Sequence, residues 1–172
     1  MSTASETSVP ETTIMAPADL PTITIQRTFA STPSQVFRAF VEPELFSRWI
    51  GPHSIEARID HWDARTGGSW RYAAWRDGER VAGFYGSFHE IRPDERLVQT
   101  FTYDGAPDGV SLDTTTFTAL PDGGTRLTTV SVVESLEIRN LILASGMDSG
   151  VREGYAKLDV LLQDRAIIQP CG

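Results

Sequence analysis

From Ile55 to Val133 the hydrophobic period is two, interrupted only by turn residues and never by a helical repeat. Ile55, Ala57 and Ile59 alternate with Glu56, Arg58 and Asp60, and Gly67-Gly68 reads as a turn or bulge. Ser69 to Trp75 is a strand with Trp70, Tyr72 and Ala74 on one face and Arg71, Ala73 and Trp75 on the other. Asp77-Gly78 is a hairpin signal. Val81 to Arg92 is long enough to need a bend, which Gly83 and Gly86 are placed to supply. Pro93-Asp94 turns the chain into Leu97 to Tyr103, and a Gly/Pro/Asp loop follows from Asp104 to Gly109. Val110 to Leu120 is a strand heavy in Thr, Asp122-Gly123-Gly124 turns, and Thr125 to Val133 returns. Strands joined by such short turns pair antiparallel. One face of the resulting sheet needs cover.

The flanking segments supply it. Thr22 to Ala30 is a first strand whose alternation runs Ile23, Ile25, Arg27, Phe29. Thr32-Pro33-Ser34-Gln35 starts a helix, with a Thr cap, Pro at the first helical position and Gln three after the cap. Val36, Phe37, Phe40 and Val41 form its apolar face, and Pro43 stops it. Glu44 to Ile50 is a second short helix, ended by Gly51-Pro52. Ser135 to Ala144 reads as a loop or a short helix.

Gly146 to Ile168 closes the chain as a long amphipathic helix. Its stripe is Met147, Val151, Tyr155, Leu158 and Leu162, and Ser145 stands three before Asp148 in a capping-box pattern. Gly146, Gly150 and Gly154 are four apart, although an interior Gly costs a helix about 1 kcal/mol relative to Ala. Two explanations stand: tight packing on the sheet, or space left for a ligand beneath the helix.

These segments define an α+β fold: strand, two helices, strand meander, long helix. The expected core is a curved antiparallel sheet of about seven strands wrapped round the C-terminal helix. Residues 22–166 form the single domain, 1–21 a disordered N-terminal tail rich in Ser, Thr, Pro and Ala, and 167–172 a C-terminal tail.

The net charge of −8 over 172 residues argues against a nucleic-acid partner and against an anionic membrane surface. No apolar run is long enough to insert in a membrane, and no secretory signal opens the chain, so the cytoplasm is the expected location. One cysteine, Cys171, forms neither an internal disulfide nor a metal cluster. His53, His61 and His89 lack a metal-ligand spacing, so no metal and no cofactor is expected. Nucleophile-elbow, P-loop and dinucleotide fingerprints are all missing. Asp63 with Arg65, and Glu90 with Arg96, read as surface ion pairs.

The aromatic residues are the most informative for function. Trp49, Trp70, Tyr72, Tyr85, Phe101 and Tyr103 fall on the helical corner or on strands. Core packing accounts for them; so does an apolar cavity lined by rings with a few polar tips, whose helical wall would be Met147, Val151 and Tyr155. A one-residue slip in register would exchange the strand faces. For a reaction in the same cavity, His53, His89 and Tyr72 are the candidates for proton transfer.

Several motifs resemble one family. Arg48-Trp49-Ile50-Gly51-Pro52 resembles the Arg-Trp-Trp-Gly-Pro of the branch of the SRPBCC (START and birch-pollen-allergen-like) superfamily named after activators of the heat-shock-protein-90 ATPase. Asp63 to Arg71 resembles its Asp-x-Arg-x-Gly-Gly-x-Trp-Arg, and Gly86 to Leu97 its Gly-x-Tyr-x-Glu-Ile-x-Pro-x-Glu-Arg-Leu. Gly154-Tyr155 with Leu158 and Leu161 is similar to its closing Gly-Trp helix. The match runs from about Ile23 to Leu162, with Ile50 in place of the second Trp and Tyr155 in place of the closing one.

The resemblance implies a helix-grip fold, and the wide sheet, the glycine-bearing helix and the surplus of aromatics point to a soluble binding protein for a small, mostly apolar or aromatic molecule held between the sheet and the C-terminal helix. An enzyme of the polyketide aromatase/cyclase type is the alternative the resemblance implies. A chaperone-ATPase activator module ranks last, because the activators that engage the chaperone carry a further N-terminal domain where this chain has a short polar tail. A homodimer through a sheet edge or the Trp-bearing corner is left open.

Overall fold

The computed structural model describes residues 10–168. Cys171 and the outer parts of both expected tails lie outside the described residues. The elements are β1 (Thr13–Met15), β2 (Thr22–Phe29), α1 (Pro33–Val41), α2 (Pro43–Trp49), β3 (Glu56–Trp62), β4 (Ser69–Arg76), β5 (Glu79–Arg92), β6 (Arg96–Tyr103), β7 (Val110–Ala119), β8 (Thr125–Val133), α3 (Leu136–Ala144), α4 (Met147–Gln163) and α5 (Arg165–Ile168). All strands join one antiparallel sheet in the order β1-β2-β8-β7-β6-β5-β4-β3.

The eighth strand is a correction. Thr13–Met15, expected within a disordered tail, pairs with β2 at the sheet edge. Two arginines from the far end of the chain hold the connecting segment. Arg139 of α3 donates to the carbonyls of Pro17 and Leu20, and Arg152 of α4 to that of Thr12. Three residues carry no measurable period, and the side chains that retain them are over a hundred positions away. At the other end Arg165–Ile168 is a helical turn that runs into the segment expected as a C-terminal tail.

α1 begins as its sequence predicts. The Thr32 hydroxyl accepts from the Gln35 amide, and the Gln35 side chain accepts from the Thr32 amide. Pro43 both ends α1 and opens α2. At the β4–β5 hairpin Asp77 and Gly78 have φ of 51° and 80°, the left-handed pair that a two-residue turn requires. Gly83 and Gly86 act differently from the bends expected of them. A Cβ on Gly86 would lie 1.9 Å from the Thr100 carbonyl oxygen and 2.7 Å from the Trp70 ring, so this glycine makes room for the indole. The register of β5 shifts at two places, at Val81 against β4 and between Phe88 and Glu90 against β6.

The inner face of the sheet carries Ile23, Ile25, Phe29, Trp70, Tyr72, Phe88, Leu97, Phe117 and Leu127, and α1, α2 and α4 close over it. Leu158, Leu161 and Leu162 anchor α4. Its N-terminus is Gly146 with φ of 86°, without a side-chain cap. The expected capping box is absent because Ser145 ends α3, where its hydroxyl donates to the Ile142 carbonyl, while Asp148 pairs with Arg152. The helical glycines serve the α2–β3 corner rather than the sheet. Gly150 faces the Pro52 ring, and Gly154 faces the backbone of Trp49 and Gly51. Space for a ligand is not what these two positions provide.

Candidate functional site

On the inner face of β3, β4, β5 and β6 the aromatic rings form a continuous ladder. Trp62 and Trp70 are 6.3 Å apart between centroids, Trp70 and Tyr72 5.7 Å, Tyr72 and Phe84 5.1 Å, Phe84 and Phe101 5.4 Å, and Phe84 and Tyr103 5.6 Å. Phe101 also meets Trp70 at 5.5 Å. The ladder grades from inside to outside: Trp70 and Tyr72 are buried, Phe84 and Phe101 half-buried, and Tyr103 is 44% exposed. Met147 and Val151 of α4, both half-buried, pack on the hydrophobic core to which Trp70 and Tyr72 belong.

Three of the expected site residues, Trp70, Tyr72 and Phe101, therefore share one surface, with Tyr103 at its rim. Phe84 belongs to it and was missed. Tyr85 is a correction: it pairs with Arg71 on the opposite face, where the guanidinium lies 4.7 Å from its ring centre. The register puts Phe84 opposite Tyr72, and neighbours across a sheet share a face. Trp49 and Tyr155 fill a closed packing position. The Trp49 indole N–H donates to the Ala39 carbonyl at 2.8 Å, and its ring touches those of Phe40, Phe46 and Tyr155.

The groups proposed for proton transfer do not converge. His53 is exposed, and His89 is exposed at the β5 register shift against β6. Tyr72 is on the ladder, but burial pushes its phenol well above its ordinary range. No three His, Cys, Asp or Glu side chains group as metal ligands among the described residues. The two expected ion pairs are present, Asp63–Arg65 at 2.9 Å and Glu90–Arg96 at 3.5 Å.

Beside the ladder the inner face turns polar. Ser111, Asp113 and Thr115 alternate inward on β7 ahead of Phe117, and their register partners on β8 are Val133, Ser131 and Thr129. The Thr115 and Thr129 hydroxyls are 2.8 Å apart. Thr129 also bonds the Tyr155 hydroxyl, which burial nevertheless pushes up to about 12. Burial raises the Asp113 carboxyl above the usual carboxylate range, against the opposing effect of hydrogen bonds from Ser131 and Ser111. Two buried polar atoms here have no partner among the described residues: Asp113 Oδ1 and Trp70 Nε1. The readable signal was the polar inward set of a Thr-heavy strand, Ser111-x-Asp113-x-Thr115.

Arg27, the polar residue on the apolar alternation of β2, is 5% exposed and forms an ion pair with Asp159 of α4. Two concavities lie on the flanks of α4. One of about 500 Å³ is lined by Arg48, His53, Ala156, Lys157, Val160, Leu161 and Asp164. The other, of about 240 Å³, lies between Pro10–Thr12, Arg27, Arg152 and Ala156.

A curved antiparallel sheet gripping a C-terminal helix is the helix-grip architecture of the SRPBCC superfamily. The family model described as Activator of Hsp90 ATPase homolog 1-like protein matches residues 30–163, and the chain belongs to that family. A Rhodobacter sphaeroides protein of known crystal structure is 27% identical, with a TM-score of 0.79 over 88% of this chain and 98% of that one. Protein Ms6760 from Mycobacterium smegmatis is 26% identical, with a TM-score of 0.80 over 90% and 98%. An Arthrobacter aurescens protein shares the fold at 24% identity and a TM-score of 0.80, over 91% and 94%. Among curated proteins none matches the chain. No helix among the described residues is long and apolar enough to cross a membrane.

Proposed function

We propose that the protein binds a small, mostly apolar molecule in the cytoplasm, between the aromatic strands β4–β6 and the N-terminal half of α4. The observation that carries this reading is the ring ladder ending at Trp70, whose buried indole N–H has no partner among the described residues. An unpaired buried donor costs roughly 1–3 kcal/mol, and a ligand acceptor, an aromatic π face included, would recover part of it. The half-buried Phe84, Phe101, Met147 and Val151 are the apolar side chains such a ligand would touch, with Tyr103 at the rim. Such a lining, apolar with a few polar groups, is the usual make-up of a small-molecule site.

The test is a thermal-shift screen of apolar and aromatic metabolites, run on the native protein and on Phe101→Ala. Compounds that stabilise the native protein and lose their effect in the variant support the reading. Compounds that stabilise both equally bind elsewhere and count against it.

A further inference from the structure

The polar patch on β7 suggests what kind of molecule the ladder receives. Asp113 sits on the inner face, between Gln99 of β6 and Ser131 of β8 in register. Its Oδ1 is shut off from solvent and has no partner among the described residues. Asp is a poor strand residue, and an unsatisfied buried carboxyl oxygen is costly. Arg27, the buried base on the inner alternation of β2, already pairs with Asp159. The inner wall thus contains an acid without a base.

Ring faces stand next to that acid. Phe101 is the register partner of Ser111, two residues from Asp113 on the same face, and its ring lies against those of Trp70 and Phe84. Aromatic faces attract cations, most strongly when water is excluded, and a charge-assisted hydrogen bond to carboxylate adds to that attraction. A net charge of −8 also draws cations toward the protein.

Resting on the ligand-binding reading above, we infer that the ligand is an amphipathic amine, its apolar body on the Trp70–Phe84–Phe101 rings and its protonated nitrogen on the Asp113 carboxylate. The carboxylate accepts the ammonium hydrogens, and the Ser111 and Ser131 hydroxyls beside it complete the polar end. Neutral molecules of the same shape would gain the rings but leave the acid unpaired. Carboxylates would place like charges together.

Three probes of one skeleton test this: 2-phenylethylamine, ethylbenzene and phenylacetate, titrated by calorimetry into the native protein and Asp113→Asn. The Trp70 indole N–H signal reports the site. The expected result is that the amine moves that signal and binds at least about tenfold more tightly than the other two, losing about tenfold in Asp113→Asn. Ethylbenzene would bind both proteins alike. If ethylbenzene moves the Trp70 signal and binds as well as the amine, or if Asp113→Asn leaves amine affinity unchanged, the amine inference is overturned while the apolar site stands. If no probe moves the Trp70 signal in either protein, both readings fall. The comparison of probes in the native protein decides the question even should Asp113→Asn fold poorly.

Discussion

Gly154 lies against the backbone of Trp49: a Cβ on this glycine would come within 3.0 Å of the Trp49 carbonyl oxygen and 3.4 Å of the Gly51 nitrogen. Backbone at a helix–strand corner cannot easily give way. Gly154→Ala should therefore destabilise the protein by about 1–3 kcal/mol, although Ala is the better helix former. Gly150→Ala, whose Cβ would meet only the Pro52 ring at 3.7 Å, should stabilise by up to about 1 kcal/mol. Urea unfolding of the two variants checks the opposite signs.

The Arg27–Asp159 pair ties β2 to α4, and burial raises the Asp159 carboxyl even though Arg27 pulls it down. Removing one partner leaves a buried charge uncompensated. Asp159→Ala should cost about 3 kcal/mol, and the double change Arg27→Met with Asp159→Leu should recover most of it. Denaturation midpoints of the two variants decide whether the pair stabilises or only avoids a penalty.

Gly86 holds its place for Trp70. Gly86→Ala drives a Cβ into the Thr100 carbonyl and the indole, with no flexible side-chain end to yield on the carbonyl side. The expected outcome is a loss of about 3 kcal/mol or more and a changed near-ultraviolet circular dichroism signal from the displaced indole.

The Asp113 carboxyl, raised by burial, makes stability fall as pH rises. Folded protein holds that proton more firmly than unfolded protein does. Its contribution is fully present below the ordinary carboxylate range and is lost as pH climbs through the raised value. Tyr155, on which both Asp113 and Arg27 act, and the Arg27–Asp159 pair are common to native protein and Asp113→Asn, so their contributions cancel in a comparison. As pH rises from about 4, the ordinary carboxylate value, through the raised range, the native protein should lose stability relative to Asp113→Asn. Parallel curves would contradict the assignment.

Features set by neighbours in sequence were legible, and features set by distant partners were not. The Thr32–Gln35 cap and the Asp77-Gly78 turn need only a few adjacent residues. The order of strands followed from turn spacing. The reason for Gly154 did not, because the atoms it accommodates are more than a hundred positions away. Nor could period two decide which face of β5 looks inward. Tyr85 was chosen and Phe84 is on the ladder, since only pairing with Tyr72 sets the face. β1 is held in place by Arg139 and Arg152 rather than by a pattern of its own. The polar patch was visible as Ser111, Asp113 and Thr115 on one alternation, yet its burial depends on α4 closing over it.

A site between the sheet and α4 requires the ligand to reach the Trp70 rings. Nitrogen-15 spectra recorded with the strongest stabiliser from the metabolite screen answer this directly. The Trp70 indole N–H and the amides of Phe101 and Val151 should shift together, with Lys157 and Val160 unmoved. Shifts gathered instead at Arg48, His53, Lys157 and Val160 would put the ligand in the outer groove and contradict a site between the sheet and α4.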